Sequence, residues 1–156
     1  MMRRIVLLLS AAALVAFAQK YDGPRPPKSD LPYLKHASEL VPTEAGQAKE
    51  EKQKKEDILY VVEGAASSAR TPLASPIFLI VADKITPDRL GLYKLEVKNG
   101  HREILFGPKK SPKPIRIEVS RLSGNLFKIE VEESLEPGEY SLSPADSNQV
   151  FCFQVY

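Results

Sequence analysis

Between Ile58 and Tyr156 the chain breaks into short β-like runs, and none of its 13 prolines falls inside one. That distribution constrains the fold more than any other feature, because proline cannot donate to a sheet ladder and is kept out of paired strands. Two runs, Ile58-Leu59-Tyr60-Val61-Val62 and Ile77-Phe78-Leu79-Ile80-Val81, are continuously apolar and rich in β-branched residues. They are too short for helices and suit strands buried on both faces. The later runs alternate. Tyr93, Leu95 and Val97 share one face against Lys94 and Glu96, Ile115, Ile117 and Val119 face away from Arg116 and Glu118, and Phe127, Ile129 and Val131 alternate with Lys128, Glu130 and Glu132. Tyr140 with Leu142, and Phe151 with Phe153 and Val155, close the series. Eight such strands, at this spacing, predict an all-β sandwich or barrel.

Two turns fix registers. Asn99-Gly100 is a hairpin signal, because both central positions need φ > 0. A two-residue turn there sets Leu95 opposite Ile104 and Tyr93 opposite Phe106. A three-residue loop, Ser123-Gly124-Asn125, pairs Val119 with Ile129 and Ile117 with Val131, and sets Arg116 across from Glu132. Asn125 is expected to take the left-handed position of that loop.

The first 57 residues are of another kind. Met1-Met2-Arg3-Arg4, an apolar run from Ile5 to Val15 and Ala16-Phe17-Ala18 read as a signal peptide over 1–18, cleaved between Ala18 and Gln19. The apolar run is shorter than the roughly 20 residues a spanning helix needs, so no transmembrane segment is expected after cleavage. The product is expected in the periplasm or outside the cell. Residues 19–32 carry Pro24, Pro26, Pro27 and Pro32 and read as an extended, Pro-rich leader. Residues 33–57 read as a charged excursion packed loosely on the domain. Within it, 44–57 lacks an apolar stripe and is expected as a solvated segment with partial helix supported by Glu50–Lys54 and Glu51–Lys55 pairs. The β-sandwich domain is then 58–156.

Charge narrows the partners. The chain holds 22 basic and 20 acidic residues, and both arginines of the signal peptide leave with it. The mature chain is close to neutral, with no global field to steer it onto nucleic acid or an anionic membrane. The charge that remains is segregated. Lys109, Lys110, Lys113 and Arg116 lie among Pro108, Pro112 and Pro114, and Glu130, Glu132, Glu133, Glu136 and Glu139 form a later acidic block. Lys109, Lys110, Lys113, Arg116, Glu130, Glu132 and Glu136 are therefore the candidate surface for a protein partner. Solvated loops and charged edge strands are the plainer account of the same residues.

No constellation for catalysis, cofactor or metal stands out. His36 and His101 are the only histidines and lie far apart in sequence, with no ligand spacing around them. Cys152, the single cysteine, points away from Phe151 and Phe153 and has no basic neighbour to activate it, so it reads as a small buried hydrophobe. The serines form neither a nucleophile elbow nor an S-x-x-K motif. No enzyme activity is expected.

Leu135-Glu136-Pro137-Gly138-Glu139-Tyr140-Ser141-Leu142 carries a mechanism of its own. This L-x-P-G-x-Y segment resembles the tyrosine corner of Greek-key sandwiches of the immunoglobulin-like and fibronectin type III kind. The resemblance implies a structural role for Leu135, Pro137, Gly138 and Tyr140, with the Tyr140 hydroxyl bonding a backbone group a few residues upstream. Leu135 through Tyr156 also resembles the closing hairpin of uncharacterised bacterial exported proteins, in which an L-x-P-G-E-Y-x-L strand precedes an F-x-F-x-V strand. The absence of Trp and of a cysteine pair excludes an antibody-type core. The expected fold is an Ig-like Greek-key sandwich of about seven to nine strands. The expected function is a non-catalytic, exported protein-interaction module that binds another envelope or secreted protein. Carbohydrate or polymer binding, with Tyr93 and Tyr156 as exposed aromatics, is the alternative, and a small envelope hydrolase ranks third.

Overall fold

The computed structural model describes residues 20–156 apart from Lys110. Residues 1–18, read from the sequence as a signal peptide, lie outside the described residues. The described residues are all-β, with two short 3-10 turns at Lys54–Glu56 and Pro87–Arg89. Nine strands follow the start of the first apolar run: β5 (Ile58–Val62), β6 (Arg70–Thr71), β7 (Ile77–Val81), β8 (Leu90–Lys98), β9 (His101–Phe106), β10 (Ile117–Ser123), β11 (Leu126–Val131), β12 (Gly138–Pro144) and β13 (Gln149–Val155). Among the described residues four more precede it: β1 (Tyr33–His36), β2 (Glu39–Pro42), β3 (Glu44–Gln47) and β4 (Lys49–Lys52).

The strands form two sheets packed as a sandwich. The smaller has the order β10-β11-β7-β1-β2, the larger β3-β13-β12-β8-β9-β5-β4. All pairings are antiparallel except that of β6, which runs parallel to β13 beyond the end of β3. Between the sheets sits the main core, with Leu34, Phe78, Ile80 and Ile129 from one side and Leu92, Leu142, Phe151 and Phe153 from the other. Phe153 joins the layers, meeting Phe78 edge-on at 5.0 Å and stacking on Tyr140 at 5.6 Å. β7 has Phe78, Leu79 and Ile80 all buried, as a continuously apolar strand with both faces covered must.

Residues 33–57 are a correction to the sequence reading. They form no loose excursion and no α-helix, but four strands. Leu34 is fully buried between its neighbours in β7 and β2. The charged stretch 44–57 has no apolar stripe with which to dock as a helix. As an extended chain it satisfies two open sheet edges at once, β3 pairing with β13 and β4 with β5. β3 and β4 stand at opposite ends of the larger sheet, yet only Ala48 separates them. The sheet must therefore curl until its two ends meet, and one nearly continuous strand, 44–52, closes it.

The leader is extended, but its end is docked. Pro26 and Pro32 are buried, and Ser29 bridges Val81. Asp30, at φ 56°, accepts the backbone N–H groups of Asp83, Lys84 and Ile85 at 2.9–3.1 Å. Burial pushes the Asp30 carboxyl up, but those three N–H donors outweigh it and hold it below the usual carboxylate range.

Both hairpins start in the expected register, but the first pairs only as far as Glu96–Glu103, so the expected Leu95–Ile104 and Tyr93–Phe106 pairs are not formed. Lys98 faces His101 and Glu96 faces Glu103 across Asn99-Gly100, whose φ values are 51° and 78°. Ile117 pairs with Val131 and Val119 with Ile129. The tip of the second hairpin differs. Its turn is Gly124-Asn125, Leu122 is extruded as a bulge, and Gly124, not Asn125, takes the left-handed conformation at φ 55°. A residue without Cβ adopts that conformation at lower cost than Asn.

Candidate functional site

Alternation along the closed sheet gives each strand one side chain for the sandwich core and the next for the interior of the curl. Leu92, Tyr140, Leu142, Phe151 and Phe153 take the first role. Tyr60, Val62, Leu95, Ile104, Val150 and Cys152 take the second, with Ala48 at the closure point. The interior is a cavity of about 900 Å³ that opens at one end.

Splaying of the first hairpin creates much of this space. Pairing of β8 with β9 runs only from Lys98–His101 to Glu96–Glu103. Beyond it β9 continues along β5, with Tyr60 opposite Ile104, while β8 continues along β12, with Tyr93 opposite Ser141. Ile115 bridges the outer edge of β8 by donating its N–H to the Leu92 carbonyl at 2.8 Å. Three rings span the gap. Phe106 meets Tyr60 edge-on at 5.5 Å and Tyr93 at 5.4 Å.

The opposite end is plugged by charge. Arg102 shares the inward face of Ile104 and Phe106, and its side chain is fully buried. Its guanidinium donates to Glu44 Oε2 at 2.6 Å, to Ser67 Oγ at 2.8 Å and to the carbonyls of Gly64 and Glu63. Ser67 in turn donates its hydroxyl to Glu139 Oε2 at 2.6 Å and its N–H to both Glu139 oxygens. Burial alone would disfavour the charged Arg102, but the bonds to Glu44 hold it protonated. Among the described residues no buried side-chain polar atom lacks a partner, so the plug is a closed hydrogen-bonded unit.

The rim of the open end is polar. Glu50, Asp88, Arg89, Arg116, Asp146 and Asn148 stand around it. Arg89 and Asp146 pair with each other at 3.2 Å.

The sequence-derived candidates scatter. Lys109 and Lys113 are exposed on the loop after β9, and Lys110 lies outside the described residues. Arg116 stands on the cavity rim and meets the acidic block directly, its N–H donating to Glu133 Oε2 at 2.8 Å and its carbonyl accepting from Glu132 N–H at 3.0 Å. Glu130 pairs with Lys128 and Glu136 with Lys94. Glu139 leaves the block altogether and is buried in the plug. The Tyr140 hydroxyl donates to the Glu136 carbonyl at 2.7 Å, and Leu135 is buried beside it in the main core. Tyr93, expected as an exposed aromatic, is half-buried in the cavity wall. Tyr156 is 57% exposed, with Arg70 over its ring at 4.2 Å.

Arg102 is a basic neighbour of Cys152 that the sequence did not reveal and pulls the thiol down, but burial outweighs it and pushes the thiol up to about 11, so it stays protonated at neutral pH. The Ser67 hydroxyl is buried between Arg102 and Glu139. The hydroxyls of Ser141 and Ser143, on the cavity wall, lie 2.8 Å from each other. His36 bonds Thr71 and His101 bonds Glu103, and neither histidine lines the cavity. No protein-family model, curated protein or solved structure matches the chain.

Proposed function

We propose that this chain is an exported, non-catalytic binding module whose working site is the cavity of the larger sheet. One observation carries the reading: an open cavity of about 900 Å³ with an apolar wall and a charged rim. That volume lies in the range typical of ligand pockets, and the mouths of β-barrels are among their usual places. The groups that could serve as nucleophiles are held in internal hydrogen bonds or kept protonated by burial, which supports binding over catalysis. The Arg3-Arg4, apolar and Ala16-Phe17-Ala18 pattern supports work outside the cytoplasm. Arg116 of the basic cluster borders the cavity, which supports a role for it at the rim.

Native mass spectrometry of the protein purified from its own host tests this. The expected result is one bound molecule per chain, lost in Ser143→Phe, which fills the cavity wall. Bare wild-type protein, or the same bound mass in both proteins, would contradict the proposal.

A further inference from the structure

We infer that the cavity takes the apolar tail of a single-chain amphiphile whose head, uncharged or zwitterionic, stays at the rim. This rests on the cavity being a binding site and adds the chemistry of its ligand. The inner wall is mainly apolar: Val62, Leu95, Ile104 and the rings of Phe106, Tyr60 and Tyr93 line it, and of the hydroxyls it carries, those of Ser141 and Ser143 lie in hydrogen-bonding distance of each other while the Tyr60 and Tyr93 phenols remain. A sugar or other ligand polar on all sides would find too few partners along this wall and leave most of its donors and acceptors unsatisfied, which is costly. An apolar tail gives up no hydrogen bond on entering and removes its surface and that of the wall from water.

The Arg102 plug closes the far end, so a tail enters from the rim and its head remains there. The rim sets the head. Arg89 is occupied by Asp146, which leaves Arg116 against Glu50 and Asp88. A rim of mixed sign with a slight excess of carboxylate repels an anionic head and suits one that carries no net charge.

The chain has no Trp, and two of its six tyrosines, Tyr60 and Tyr93, stand in the cavity wall. Tyrosine fluorescence therefore reads occupancy. The full mature chain is titrated with dodecylphosphocholine below its micelle concentration, and with dodecanoate in parallel. Saturable binding of one dodecylphosphocholine per chain is expected, weaker by about tenfold in Ser143→Phe and unchanged in Tyr156→Ala, whose ring lies outside. Val62→Phe narrows the same space from another strand and serves if Ser143→Phe melts early. Binding only above the micelle concentration, or equal binding by wild type and both narrowed variants, would overturn the inference. Tighter binding of dodecanoate would overturn the assignment of the head. If the protein from its host carries a bound molecule but dodecylphosphocholine does not bind, the amphiphile assignment falls and the binding site stands. If both are negative, both fall.

Discussion

Arg102→Met removes the guanidinium that closes the larger sheet at its plugged end. The native side chain is fully buried and makes one bidentate contact, to Glu44, with further bonds to Ser67 Oγ and two backbone carbonyls. Methionine fills much of the volume but satisfies none of these acceptors. Removing one member of a buried ion pair costs about 3–5 kcal/mol, chiefly because the partner is left uncompensated. Glu44 retains 31% exposure and can recover some hydration, whereas the carbonyls in the plug cannot. The low end applies, and we expect a loss of about 3 kcal/mol, or a melting temperature lower by about 10 °C for a chain of this length. Arg102→Lys keeps the charge but not the fork, and is expected to lose about half as much. Adding Glu44→Gln to Arg102→Met removes the orphaned carboxylate, so the double variant should be more stable than the sum of the singles predicts, by about 1 kcal/mol. Urea unfolding followed by circular dichroism compares wild type with Arg102→Met, Arg102→Lys, Glu44→Gln and the double variant. A loss below about 1 kcal/mol for Arg102→Met, or strict additivity with Glu44→Gln, would refute the account of the plug.

Tyr140→Phe removes the 2.7 Å bond to the Glu136 carbonyl and keeps the stack on Phe153; a loss of about 1 kcal/mol is expected in the same assay. Asp30→Asn is expected to cost about 1–2 kcal/mol at pH 7, because three N–H groups lose a charged acceptor. The folded Asp30 carboxyl is held below its unfolded value, so its contribution is present above about pH 4 and is lost as pH falls through the folded value. The gap between wild type and Asp30→Asn should accordingly narrow in acid, and a gap independent of pH would contradict the assignment. Cys152, fully buried and with its thiol near 11, should react with an aromatic disulfide at pH 8 only as fast as the protein opens, and at once in urea. Rapid labelling of the native chain would show the thiol to be accessible.

Much of the sandwich could be read from the residues. The alternation of Ile117, Val119, Ile129 and Val131, with the turn chemistry of Asn99-Gly100, fixed both hairpin registers, because a slip by one would turn every apolar side chain to the wrong face. The closure of the larger sheet could not be read. In Glu44-Ala45-Gly46-Gln47-Ala48-Lys49-Glu50 the inward positions hold Glu44, Gly46, Ala48 and Glu50, so no apolar alternation marks a strand. What makes it one is the pair of edges, β13 and β5, waiting to be covered, a tertiary fact. The cavity was hidden for the same reason, since Tyr60, Tyr93 and Phe106 belong to three strands and meet only once β8 and β9 splay. Arg102 did carry a signal. Two residues before Ile104, on a strand whose inward face was already assigned, it had to point inward, and a charge at an inward position marks a buried partner. Glu139 stands one residue before Tyr140 and so faces opposite to it; grouping it with its acidic neighbours by sequence alone obscured that.

The central claim is that the interior of the curled sheet, not an outer face, is where this protein binds. Intermolecular nuclear Overhauser effects between dodecylphosphocholine and the labelled chain test it most directly. The account predicts contacts from the tail to Leu95, Ile104 and the rings of Tyr60 and Tyr93, with the head near Arg116 and Asp88. Contacts confined to the exposed apolar side chains Leu73, Val97, Leu105 and Tyr156 would contradict it.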